Sequence, residues 1–224
     1  MCKQTLLAST TRLVYDLRQN QDEQRALAMK KYMKNRFEFF GLPSADRKLF
    51  AKPGVALMKE EKDPFRSVQE LFAQPQRELH YVAMEAFFKY RTLWSAETLS
   101  ELEWMIMTNS WWDSVDFIAS NCVGYYLSKD SRNAREVAKN WIDADSMWLR
   151  RSALLFQLKY KEKTDQELLA YLIEKTQNEK EFFIRKAIGW SLRQYAKFNP
   201  DWVVEFVNSH SLQNLSRKEA LKHL

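Results

Sequence analysis

The 224-residue sequence predicts an all-α fold, an α-solenoid (superhelix) of HEAT-like helical repeats forming a single domain over residues 1–224. Three observations predict it. The chain holds only four glycines and five prolines, too few for a sheet with many tight turns. Four amphipathic segments (78–90, 112–126, 147–160 and 182–195) each end in a tyrosine, and Tyr90, Tyr126, Tyr160 and Tyr195 follow one another at 36, 34 and 35 residues by subtraction of their numbers. Another amphipathic stretch lies between each pair, at 96–107, 134–141 and 166–176. A period near 35 made of two helices marks a solenoid of stacked helix pairs. The consensus residues of tetratricopeptide repeats are missing, so the HEAT-like variety is expected.

The remaining elements follow in order. Leu6, Leu7, Leu13, Val14 and Leu17 stand at helical spacing, and Asn20-Gln21-Asp22 ends that run. A second helix carries Met29-Lys30-Lys31-Tyr32-Met33-Lys34-Asn35, and Gly41 and Pro43 mark a stop. Ser44 is expected to cap a short helix through Phe50, and Pro53-Gly54 to break the chain again. The charged stretch 59–63 reads as an exposed connection, after which Asp63-Pro64 fits an N-cap and first helical position. Pro200-Asp201 opens a later helix, and Ser216-Arg217-Lys218-Glu219 is expected to cap the last.

Composition narrows the function. Apolar residues are 46% of the chain, a globular value, and no run is long enough to span a membrane. The first residues, Met1 to Ser9, hold too short an apolar stretch for a secretory signal. Cys2 and Cys122 form no disulfide framework and have no metal-ligand spacing, so a reduced cytoplasmic setting is expected. There is no glycine-rich phosphate loop and no nucleophile elbow, and His80, His210 and His223 are widely spread. No metal site, no cofactor and no histidine-based nucleophilic triad is expected. The net charge of +6 and pI near 9.2 suit a nucleic-acid partner, yet an excess of solvated surface lysine would give the same balance.

The chemistry concentrates in Trp111-Trp112-Asp113-Ser114-Val115-Asp116 and in two later stretches, Met147-Trp148-Leu149-Arg150-Arg151 and Ile188-Gly189-Trp190. On a helix, Trp112 and Asp116 share a face about one turn apart, while Trp111 points elsewhere and can pack. An aromatic plate beside a carboxylate, with an arginine and a second indole nearby, suits a cationic target on an anionic polymer. The tyrosine-ending helices also carry Arg150, Arg151, Lys159, Arg185, Lys186, Arg193 and, just beyond, Lys197. As a row on the concave face, one repeat about 10 Å from the next, they would track a duplex backbone. The bland alternatives are core packing for each tryptophan, solvation for each charge, and a structural ion pair between Arg151 and Asp116.

Several motifs together resemble the AlkD family of bacterial alkylpurine DNA glycosylases, HEAT-like-repeat enzymes of DNA alkylation repair. They are Tyr32-Met33-Lys34-Asn35, Ser110 through Asp116, Trp148-Leu149-Arg150-Arg151, Phe156-Gln157-Leu158-Lys159-Tyr160-Lys161, Glu181 through Trp190, and Leu215-Ser216-Arg217-Lys218-Glu219-Ala220. The resemblance runs in order from about Tyr32 to the end. It implies a monofunctional glycosylase of base excision repair. Such an enzyme hydrolyses the N-glycosidic bond of positively charged N7- and N3-alkylpurines in duplex DNA, as a monomer without a cofactor. It further implies Trp112, Asp116, Arg151 and Trp190 as the catalytic site. Lys159, Lys186, Arg193 and Lys197 would contact phosphates, and Tyr32 would lie toward the lesion side. A cationic purine leaves as a neutral base and needs no general acid, so one carboxylate facing an oxocarbenium-like sugar is enough. The family is also noted for leaving the lesion in the stack, where most glycosylases flip the base. Two other functions compete: a non-catalytic relative that binds distorted or branched DNA, and a protein-binding HEAT-like scaffold.

Overall fold

The computed structural model describes residues 6–61 and 63–224. Among them the chain is helical, with one isolated bridge between Glu38 and Gln76 and no strand. This is an all-α helical repeat fold. It falls into two compact units, Met1–Glu97 and Thr98–Leu224. Among the described residues no helix is long and apolar enough to cross a membrane. Cys2 and the start of the segment tested for a secretory signal lie outside the described residues, as does Lys62 of the charged connection.

The first unit holds α1 (Ala8–Gln19), α2 (Glu23–Tyr32), α3 (Ser44–Met58), α4 (Pro64–Phe72) and α5 (Arg77–Lys89). Helix α3 packs on α1 and α5, and α4 packs on α5. The expected break at Pro53-Gly54 does not occur. Helix α3 runs through it to Met58, and its N-cap is Pro43, not Ser44. A proline inside a helix costs ~3 kcal/mol. Leu13, Leu17 and Met58 are all wholly buried in this unit, and each contributes roughly 1.5–3 kcal/mol. Gly54 is what lets α1 come close, because a Cβ there would fall 2.4 Å from Leu13 Cγ. Asp63 caps α4 as expected, accepting from the N–H of Phe65 and Arg66. The loop before α3 is held by a buried acid from α5. Glu78 accepts from the N–H of Phe40, Gly41 and Leu42 at 3.1, 2.8 and 3.1 Å. Gly41 sits there at φ +86° with its Cβ position filled by the Asp22 carbonyl.

The second unit begins with α6 (Thr98–Met107) and α7 (Trp112–Phe117). A π-helical segment, Ile118–Val123, continues α7 into α8 (Gly124–Leu127). Then come α9 (Ser131–Ile142), α10 (Met147–Leu155) with a 3₁₀ extension Phe156–Lys159, α11 (Gln166–Thr176), α12 (Phe182–Tyr195), α13 (Pro200–Ser209) and α14 (Asn214–Ala220). The packing makes two rows. In one, α10 lies against α7 and the π segment on one side and α12 on the other, and α12 lies against α14. In the other row α9 lies against α11. Side-chain caps from Asp130, Ser146, Asp165 and Asn199 start four of these helices. Ser216 is not a cap. It lies inside α14, whose N-cap is Gln213, and its hydroxyl donates to the Arg185 carbonyl at 2.9 Å.

Two of the four periodic tyrosines have a shared structural role. The Tyr160 hydroxyl donates to the Gly124 carbonyl at 2.7 Å, and in the first unit Tyr90 donates to the Val55 carbonyl at 2.8 Å. Each bond runs back about one repeat, tying the end of a helix to an earlier one. Gly124 is needed at that crossing, since a Cβ there would stand 2.4 Å from the Phe156 carbonyl oxygen. Cys122 is a buried free thiol whose acidity burial suppresses strongly.

Candidate functional site

The site is built on three successive helices of one row. Asp116 projects from α7 and meets Arg151 of α10 through a paired contact, Nε to Oδ1 at 2.7 Å and Nη2 to Oδ2 at 2.8 Å. The third donor of that guanidinium, Nη1, reaches the Phe183 carbonyl on α12. One arginine therefore fastens the carboxylate to α10 and α12 together. The side chains are 5% exposed for Arg151 and 15% for Asp116, so the charges are largely withdrawn from water. Burial pushes the Asp116 carboxyl above its ordinary range. Arg151 opposes the rise through hydrogen bonding and charge, and neighbouring Asp113 adds to it. A doubly bonded carboxylate keeps part of its lone-pair capacity, since two oxygens offer about four acceptor sites.

Tryptophans frame this pair. Trp111 precedes α7 in extended backbone, at φ −155° and ψ 161°, so it diverges from Trp112 by leaving the helix, not through the turn of one. Its ring packs with Trp148 and Phe183, centroids 5.1–5.9 Å apart, and Phe183 also lies 5.7 Å from the Arg151 guanidinium carbon. Trp112 is half-buried at the start of α7, one turn before Asp116. Trp190 is half-buried on α12, two turns after Phe183 on the same face. Neither indole is locked wholly into the core, as a residue meant to meet a ligand must not be.

The expected basic row is thinned by the structure. Arg150 is consumed internally, pairing with both Glu179 oxygens at 3.0 and 3.1 Å and donating to the Ala144 and Asp145 carbonyls. Arg151 is buried on Asp116. Lys159 remains exposed and donates to Asn121 Oδ1 at 2.6 Å, and Lys197 is exposed beside Gln194. Lys186 and Arg193 are partly exposed and both pair with Glu219 of α14, at 2.7 and 2.5 Å. Tyr32 ends α2 in the first unit and is 70% exposed. The sequence reading missed Phe183, Asn121 and Glu219. Phe183 and Glu219 stand inside the motifs already quoted, and Asn121 lies about one repeat before Lys159. Among the described residues no group of three or more His, Cys, Asp or Glu is placed to hold a metal ion.

The arrangement offers a preorganised carboxylate, partly shielded from water, beside aromatic faces and a flank of cations. Such a set is chemically suited to stabilising positive charge. No curated protein registers as a match to the chain. A solved structure, "Predicted DNA alkylation repair enzyme from Enterococcus faecalis", is 32% identical, with a TM-score of 0.85 over 91% of this chain and 96% of that one. The model of the DNA alkylation repair enzyme family matches residues 13–224, which takes in every element of the site. The chain therefore belongs to the AlkD-like family of DNA alkylation repair enzymes, and its substrate is DNA.

Proposed function

We propose that this member is a monofunctional DNA glycosylase. It removes positively charged N3- and N7-alkylpurines from duplex DNA, works as a monomer, and uses residues 1–224 as one repair domain. The observation that carries the reading is the Asp116 carboxylate, held by two hydrogen bonds from Arg151 and standing one turn from Trp112. In the reaction the bond between C1′ and the purine nitrogen breaks. Its electron pair goes to the base, which cancels the ring's charge and makes the base a neutral leaving group. Positive charge then grows on the sugar, and Asp116 stabilises it electrostatically. The same carboxylate orients the water that adds to C1′, and the proton of that water passes to Asp116 or to solvent. Trp112 and Trp190 offer ring faces to the cationic base and sugar, worth about 0.5–2 kcal/mol each. Arg151 fixes the carboxylate in place, so little reorganisation is needed when charge develops.

Lys159, Lys186, Arg193 and Lys197 contact phosphates in this reading, and Tyr32 is a further DNA-binding residue. A carboxylate fixed one turn from a half-buried indole has no evident use in a protein that only binds DNA, which favours the enzyme over the non-catalytic reading. The test is release of 7-methylguanine from methylated duplex DNA by the purified chain. Release above the uncatalysed rate is expected. Tight duplex binding with no release would leave only the DNA-binding role.

A further inference from the structure

Lys186, Trp190 and Arg193 follow at i, i+4 and i+7 on α12, which puts them on one face over about 10 Å of helix. The half-exposed indole thus has a cation on either side along the helix. Both cations converge on one acid, Glu219 of α14: Lys186 Nζ to Oε1 at 2.7 Å and Arg193 Nη1 to Oε2 at 2.5 Å. A separate feature brings that acid there. Gly189 lies in the middle of α12, where glycine costs about 0.5–1 kcal/mol relative to alanine. A Cβ on it would stand 2.4 Å from Glu219 Cβ and 2.8 Å from the Ser216 carbonyl oxygen. The glycine is the reason α14 can lie close enough for its carboxylate to reach both cations. The Lys186 hydrogen bond, with help from Arg193, holds Glu219 below the ordinary carboxylate range, so it is ionised at neutral pH.

We propose that Glu219 sets the specificity of this face by cancelling half of its cationic grip. The trio of two cations and one acid has a net charge of +1, and the shared carboxylate spaces the long Lys and Arg side chains on either side of Trp190. A repair enzyme must leave undamaged duplex easily, and a bare pair of cations would hold it. Each cation keeps donors beyond the one given to Glu219, since an ammonium has three and a guanidinium five. A phosphate is therefore bound with the acid still in place. The inference rests on the DNA-binding part of the proposed function.

The test is the salt dependence of affinity for an undamaged duplex, from about 50 to 200 mM salt, where each added phosphate neutralisation steepens the log–log slope by about 0.9. Glu219→Gln keeps the shape and removes the charge. It should steepen the slope by about 0.9 and tighten binding roughly eightfold at 0.1 M salt, which is that increment converted. Lys186→Met should make the slope shallower by about the same amount, and the double variant Lys186→Met/Glu219→Gln should return to the parental slope. The comparison of Lys186→Met with the double variant repeats the test in a background with one cation fewer to leave unpaired. A Glu219 that merely braces α12 on α14 would lower thermal stability, leave Glu219→Gln at the parental slope and leave the double variant at the slope of Lys186→Met, which overturns the inference. A parent chain that fails to bind duplex DNA overturns the proposed function instead.

Discussion

Replacing Asp116 by Asn separates a catalytic carboxylate from a structural one. The substitution keeps the volume and removes the charge. It also spoils the paired contact, because only one amide atom can accept while the other turns a donor toward the arginine. Arg151 is 4% exposed and would be left with an uncompensated charge. Breaking a buried pair from one side costs about 3–5 kcal/mol, and the partial exposure of Asp116 places this case near 3. For a chain of this length that lowers the melting temperature by roughly 6–12 °C. The same loss removes the electrostatic partner of the sugar cation, so base release should slow by a factor on the order of 10² or more. The double variant Asp116→Asn/Arg151→Met removes both charges together and should regain most of the lost stability. It should not regain activity. The assay is single-turnover release of 7-methylguanine from methylated duplex, well below the melting temperature of every variant. If the double variant recovers both stability and activity, or if Asp116→Asn releases base at the parental rate, the carboxylate is only half of a structural ion pair.

Asp113→Asn is the control: it should lower base release far less than Asp116→Asn, and the reverse order in the same assay would mean the wrong carboxylate was chosen. The rate should fall on the acid side about a midpoint above the ordinary aspartate value of 3.8, because burial raises the Asp116 carboxyl and only its ionised form serves. Once spontaneous depurination is subtracted, a rate that stays flat down to that ordinary value would remove Asp116 from the chemistry. Lys159→Ala should weaken duplex binding with little regard to sequence and make the salt slope shallower by about 0.9, whereas an unchanged slope in a fluorescence-anisotropy titration would place Lys159 off the DNA. Gly189→Ala should destabilise by about 1–2 kcal/mol in a thermal melt, because the added methyl meets α14 at 2.4 Å and outweighs the gain in helix propensity, and a stabilised variant would show that α14 yields.

The repeat was legible because it is written in local pattern. The amphipathic runs and their tyrosines mark the helices of both rows to within a few residues. Pro53-Gly54 and Ser216 were misread for a common reason: each is a local signal overruled by a neighbouring helix, α1 at Gly54 and α12 at Ser216. The residues of the site were legible one by one, but most of their pairings were not. Asn121 with Lys159 and Lys186 with Glu219 are separated by 38 and 33 residues, and Asp116 with Arg151, the pairing the sequence did offer, by 35. That is close to one repeat. In a stacked-pair fold the neighbour of a side chain in its own row is the residue one period away, so a charge is best read against the sequence about 35 residues on. Arg150 shows the value of the rule, since its partner Glu179 lies 29 residues ahead and takes it out of the expected basic row.

The π segment Ile118–Val123 adds one residue to a helix that is otherwise regular on both sides. It acts as a phase shift of about 100° between the half that carries Asp116 and the half that carries Gly124. Both halves are pinned, the first by Arg151 and the second by the Phe156 carbonyl, which only a glycine can meet so closely. Deleting any one residue between 118 and 123 would restore a regular α-helix and make the two anchors incompatible. Either the carboxylate would rotate off its arginine, or a bulky side chain would be driven into the next helix. The length of this segment is thus fixed by the site, although none of its six side chains has to touch the DNA.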